Sequence, residues 1–199
     1  MPNISVEKRS KKVVIIGLDG VPYTLLAHYM SKGLMPRLSE LCKSGRLLKM
    51  RSSLPEISSV AWSNFITGKG PGCHGIFGFM EIHRQTYGYT FPNFNSLKEK
   101  PAWERENISA VAFNIPQTYP AKPMNGVMVS GFVAIDLKKA VYPERVYHYL
   151  NGIGYKIDVN AELATTDPDA FFKDLFETFA KRKQAIEYLY DNENWQLFI

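Results

Sequence analysis

The run Lys12-Val-Val-Ile-Ile-Gly-Leu-Asp-Gly20 is short, rich in β-branched residues and closed by Asp-Gly. Such a run reads as a strand buried on both faces of a parallel sheet, and coming first in the chain it is expected to be the first central strand. Pro22 suits the opening turn of a helix whose apolar positions Tyr23, Leu25, Leu26, Tyr29 and Met30 run out at Gly33. Pro36 to Gly45 repeats this Pro-to-Gly pattern as a second helix, and Arg46 to Arg51 reads as a strand. A helix follows from about Ser59 to Thr67, then a loop from Gly68 to Gly75 holding Gly70, Pro71 and Gly72.

Downstream, Ser109 to Asn114 and Asn125 to Gly131 read as strands, and Pro143 to Leu150 and Asp169 to Asp191 as helices. The last helix carries Phe172, Leu175, Phe176, Phe179, Ile186 and Leu189 at helical spacing, a stripe expected to face the core. Asn194-Trp-Gln-Leu-Phe-Ile199 has the look of a further strand. Strands alternating with helices predict an α/β fold, an open and mostly parallel sheet with helices on both faces.

The chain has 199 residues, 45% hydrophobic and 13% aromatic, enough for one substantial core and unlike a disordered segment. A basic leader occupies residues 1–11, and residues 12–199 read as the N-terminal part of a single α/β domain. The formal charge of +5 is a weak general attraction for anions. Basic residues outside the leader are scattered and not interleaved with aromatics, so no nucleic-acid partner is expected. The early apolar run is far shorter than the ~20 residues a spanning helix needs, and the leader lacks a signal-peptide core. No membrane partner is expected, and Cys42 and Cys73, in no metal-type spacing, fit a reducing cytoplasm. The sequence leaves the oligomeric state open.

Asp19 stands where the first strand leaves the sheet, the edge at which open α/β folds bind ligands. It reads either as a metal ligand or as the N-cap of the following helix. Ser58 and Ser59 open an apolar helix whose N-terminus favours both an alkoxide and a phosphate, so one of them is expected to cap it and one to face the crevice. A serine is a weak nucleophile unless a base or a metal activates it. His74, between Cys73 and Gly75, reads as a ligand, a base or a residue whose ring nitrogens tie down its loop, and the tie-down is the favoured reading. His28 and His148 read as surface or boundary residues and His83 as a loop or hairpin residue. No HExxH pair and no GxSxG elbow is present.

The segments VVIIGLDGVPYTLL (13–26), MPRLSELCKSG (35–45), SSVAWSNFITGKGPGCHGIFGF (58–79) and FNIPQTYPAKPMNGVMVSGF (113–132) resemble the N-terminal part of the alkaline phosphatase superfamily. The likeness is to its type I phosphodiesterase/nucleotide pyrophosphatase and phosphohydrolase/phosphomutase branch, and it runs from about Lys12 to Asp158. It implies a metal-dependent phosphoester hydrolase with an alkaline-phosphatase-like fold, two divalent cations, usually zinc with manganese as the alternative, and a Ser or Thr that forms a covalent phospho-intermediate. Carried over, Asp19 is the first metal ligand and Ser58, four residues before Trp62, is the nucleophile and a metal contact, with its neighbour Ser59 as the other choice. Ser59 and Asn64 are the residues expected to meet the substrate.

Relatives acting on nucleotides carry an Asn where this chain has Ala61, a departure that counts against nucleotide substrates. The remaining metal ligands of the family fall beyond Ile199, so the resemblance implies an N-terminal fragment, incomplete at its C-terminus and inactive alone. A phosphomutase on the same scaffold and a non-catalytic anion-binding α/β module are the rival readings. A sulfatase is disfavoured because Ser58-Ser-Val-Ala-Trp62 lacks the Pro and Arg of that branch.

Overall fold

The structure, a computed structural model, describes residues 11–83 and 85–199, so the basic leader apart from Lys11 lies outside the described residues. In chain order the elements are β1 (Val13–Val14), α1 (Tyr23–Ser31), α2 (Pro36–Ser44), α3 (Ser58–Thr67), α4 (Pro71–His74), β2 (Glu81–Ile82), β3 (Tyr89–Thr90), α5 (Ala102–Arg105), β4 (Ala110–Ile115) and β5 (Gly126–Ser130). They continue as α6 (Leu137–Ala140), β6 (Val141–Tyr142), α7 (Glu144–Gly152), α8 (Leu163–Thr166), α9 (Pro168–Asn192) and β7 (Leu197–Phe198).

β4 explains the architecture. Its residues Ala110 to Ile115 are almost all buried, as a strand covered on both faces must be. Alternate side chains point to opposite faces: Val111 and Phe113 join one core with Val127 and Val129 of β5, Val146 and Leu150 of α7, and Ala185 and Leu189 of α9. Ala110, Ala112 and Ile115 join a second core with Met128, Phe94, Ile66 of α3 and Trp103 of α5. The sheet runs β1-β7-β4-β5-β6, parallel except for the β5–β6 pair. The expected α/β fold, a mostly parallel sheet with helices on both faces, is present. A separate antiparallel hairpin pairs β2 with β3 and holds His83, whose amide bonds the Gly88 carbonyl at 2.8 Å.

Four expectations need correction. The Lys12 to Gly20 run is not a central strand: β1 has two residues and lies at the sheet edge, with Val13 and Val14 about half exposed at 48% and 49%. The central place beside β4 goes to β7, which pairs with β1 on one side and β4 on the other. Arg46 to Arg51 forms no strand; no partner pairs with it among the described residues, and Leu48 and Met50 are exposed. The loop after α3 contains one helical turn, α4.

The fourth concerns α9. Of its apolar stripe only Leu189 is buried, while Phe172, Phe176 and Phe179 are 54%, 68% and 66% exposed. The inward face is instead Thr178, Ala185 and Leu189. The first half of the helix is held by polar ties: Lys156 bonds Asp174 and Glu177, each at 2.9 Å, and the Asn160 amide bonds Asp174 at 2.8 Å. Its far end is fixed by a paired Arg145–Glu193 contact. Among the described residues no helix is long and apolar enough to cross a membrane.

Candidate active site

The main chain beyond β1 stays parallel to β7, with the Ile15 amide bonded to the Phe198 carbonyl at 2.8 Å, and then delivers Gly17, Leu18 and Asp19 to the carboxyl edge of the sheet. α3 arrives at the same edge with Ser58 as its first residue. Its N-cap is Ile57, whose carbonyl accepts from Val60 at 3.0 Å and Ala61 at 2.9 Å. An isoleucine side chain offers no oxygen, so the expectation that one serine caps the helix is corrected: both serines lie inside it.

That one-residue shift frees the Ser58 hydroxyl. Its Oγ donates to Asp19 Oδ1 at 3.2 Å, and Trp62 Nε1, one turn along the same face of α3, donates to Asp19 Oδ2 at 3.2 Å. The carboxylate therefore faces the positive end of the helix. Asp19 and Trp62 line a cavity of about 550 Å³ at the carboxyl ends of β1, β4 and β7, walled also by Phe113, Asn114, Phe132 and Tyr190 among others. This is the position at which open α/β sheets bind ligands.

Ser59 and Asn64 are not brought to this pair. Ser59 is fully buried, and its hydroxyl has no hydrogen-bond partner among the described residues. The Asn64 carbonyl lies 2.6 Å from His74 Nε2. His74 Nδ1 accepts from the Ile76 amide at 3.1 Å, which fixes the tautomer with the proton on Nε2, donating to Asn64. The expected tie-down of the loop is thus present, and its anchor is α3. Beneath it, Ser63 Oγ bonds the Ser59 carbonyl at 2.7 Å and Thr67 Oγ1 bonds that of Ser63 at 2.6 Å. Arg105 closes the C-terminal end of the helix on the Thr67 carbonyl at 2.9 Å, a favourable place for a cation.

His74 is fully buried, and burial lowers its pKa below 6.5, with the Glu99 carboxylate opposing in part. The unfolded chain therefore takes up this proton more readily than the folded one. The stability conferred by the neutral ring is complete above the unfolded pKa and is lost as pH falls through the folded one. Urea unfolding at about pH 7.5 and about pH 5 should show a loss of up to ~1.4 kcal/mol per pH unit in the window where only the unfolded chain is protonated. His74→Gln should flatten that dependence; an unchanged slope would show that other groups carry it.

Among the described residues no group of three or more His, Cys, Asp or Glu comes together as a metal cluster. The Asp19 carboxylate and the Ser58 hydroxyl suit one edge of a cation site. Two cations ~4 Å apart acting on attacking and leaving oxygens need more donors than this pair. Asp158, also at the cavity, is turned to Arg182 at 3.6 Å. The role of Trp62 escapes a reading of the sequence: its spacing from Ser58 is visible, but its acceptor lies 43 positions away.

No curated protein and no solved structure matches this chain. A family model, described as type I phosphodiesterase / nucleotide pyrophosphatase, matches residues 13–199, a span that holds Asp19, Ser58 and Trp62 together with every strand of the main sheet. The chain belongs to the type I phosphodiesterase / nucleotide pyrophosphatase family.

Proposed function

We propose that the protein is a metal-dependent phosphoester hydrolase acting through a phosphoserine on Ser58. The observation that supports this most is the Ser58 hydroxyl at the first position of α3, 3.2 Å from the carboxylate of Asp19, which lines the cavity. The helix N-terminus draws the phosphate toward Ser58 through its first-turn N–H groups. Ser58 Oγ attacks phosphorus, the new Oγ–P bond forming as the bond to the leaving oxygen breaks, and water then cleaves the Oγ–P bond to return the serine. Asp19, with the Ser58 hydroxyl beside it, would hold one edge of a divalent cation. When bound, divalent cations such as zinc or manganese supply a lowered pKa at the hydroxyl and charge neutralisation at the leaving oxygen.

The substrate is a small phosphoester. Ala61, in place of the Asn of nucleotide-acting relatives, favours esters other than nucleotides. The donor set described here, one carboxylate and one hydroxyl, is expected to give little hydrolysis by itself. Acid quenching of the full-length gene product during turnover of an aryl phosphodiester with zinc or manganese should trap phosphate on the peptide containing Ser58, read by mass spectrometry. Turnover with phosphate on no serine would overturn the covalent route. Release of free phosphate or a phosphomonoester separates hydrolysis from transfer to a second hydroxyl, and zinc-dependent turnover by residues 12–199 alone would overturn the donor count.

A further inference from the structure

We infer that Trp62 is a positioning residue for Asp19, turning one carboxylate oxygen toward Ser58 by holding the other. This rests on the reading of Asp19 as a metal ligand and Ser58 as the nucleophile. An exposed aspartate carboxylate turns readily, because rotation about its last bond is broad and roughly two-fold. Here its two oxygens are assigned to different donors: Oδ2 to the Trp62 indole at 3.2 Å and Oδ1 to the Ser58 hydroxyl at 3.2 Å. An indole N–H can only donate. The hydroxyl can reverse its role and the indole cannot, so the indole keeps Oδ2 whatever Ser58 is doing and leaves Oδ1 on the side of Ser58.

The ring is placed for this by the strand end. A Cβ at position 17 would fall 2.2 Å from Trp62 Cη2, 3.0 Å from Cζ3 and 3.2 Å from Cζ2, so the indole occupies the space that the absent side chain of Gly17 leaves. Phe65 packs edge-on at 5.7 Å between centroids and steadies it from the helix side. One side chain thus sets both the separation of α3 from the strand end and the plane of the Asp19 carboxylate. A phenylalanine would lack both the donor and the Cη2, Cζ2 and Cζ3 atoms that fill the space beside Gly17.

Trp62→Phe removes the N–H together with the ring atoms that lie against Gly17. In the full-length protein it should lower the thermal midpoint somewhat and weaken manganese binding, measured by calorimetry with the metal alone, by about 10- to 100-fold, the usual cost of losing an outer partner of a ligand. Gly17→Ala keeps the indole but displaces it, and should act in the same direction. In nitrogen–proton spectra the Trp62 indole resonance should shift in Asp19→Ala while those of Trp103 and Trp195 stay. Manganese affinity unchanged in Trp62→Phe, or an indole resonance indifferent to Asp19→Ala, overturns the positioning role. Unchanged manganese binding in Asp19→Ala itself overturns the ligand reading instead.

Discussion

Ser58→Ala is expected to reduce turnover of a phosphodiester by on the order of 10⁵-fold, the scale on which loss of the nucleophile falls in a covalent mechanism. The structure makes this a clean substitution. Ser58 opens α3 without capping it, so no first-turn bond is lost, and the one hydrogen bond removed is its 3.2 Å contact with Asp19, which keeps its bond from Trp62. Loss of one partly exposed hydrogen bond costs about 1 kcal/mol, small against the activity change. Ser58→Thr, which retains a hydroxyl at the same helical position, should recover a substantial part of kcat. Ser59→Ala should affect folding more than chemistry, since its side chain is fully buried. Steady-state rates for the three variants at equal metal loading, with thermal midpoints alongside, provide the check. Turnover that survives Ser58→Ala would move the attack to a metal-activated water or to Ser59.

Local patterns carried the parts of the fold that depend on local physics. β4 and β5 fall within a residue or so of the expected runs, and α9 spans Pro168–Asn192 against an expected Asp169 to Asp191, because burial on two faces and helical period write themselves into consecutive residues. What failed depends on partners. The period of the α9 stripe is real, yet Phe172, Phe176 and Phe179 are exposed, because a periodic stripe defines a helix face without saying what lies against it. β1 is marginal rather than central because β7, from the far end of the chain, takes the place beside β4. At the site, Asp19 and Ser58 were legible as ends of elements that meet at the carboxyl edge of a sheet. Asn64, read as a substrate contact one helical turn beyond Ala61, has its carbonyl on His74, because six residues along a helix turn it to another face from Ser58.

Gly131→Ala is expected to be strongly destabilising. Gly131 follows β5 and crosses the end of β4 where the ladder is irregular between Phe113 and Ile115, next to the cavity. An added Cβ would lie 2.3 Å from the Asn114 carbonyl oxygen, 2.6 Å from its carbon and 2.9 Å from that of Ile115. All three are backbone atoms, so no rotamer change relieves the overlap; the two strand ends must separate, straining the 3.0 Å bond from the Gly131 amide to the Ile115 carbonyl and the 3.0 Å bond from the Gln117 amide to that of Phe132. Overpacking of this rigid kind costs about 3 kcal/mol or more, which for a chain of this size lowers the midpoint by roughly 6–12 °C. Gly152→Ala supplies the contrast: nothing lies within 4 Å of its added Cβ, and alanine in place of a helical glycine at the end of α7 should be neutral or stabilising by up to ~1 kcal/mol. Thermal melts of the two variants test the geometry directly, since both add the same methyl group. Equal midpoints would mean that the β4 and β5 ends are not held together as closely as the Gly131 contact requires, and with them the wall of the cavity that Phe113, Asn114 and Phe132 form beside Asp19.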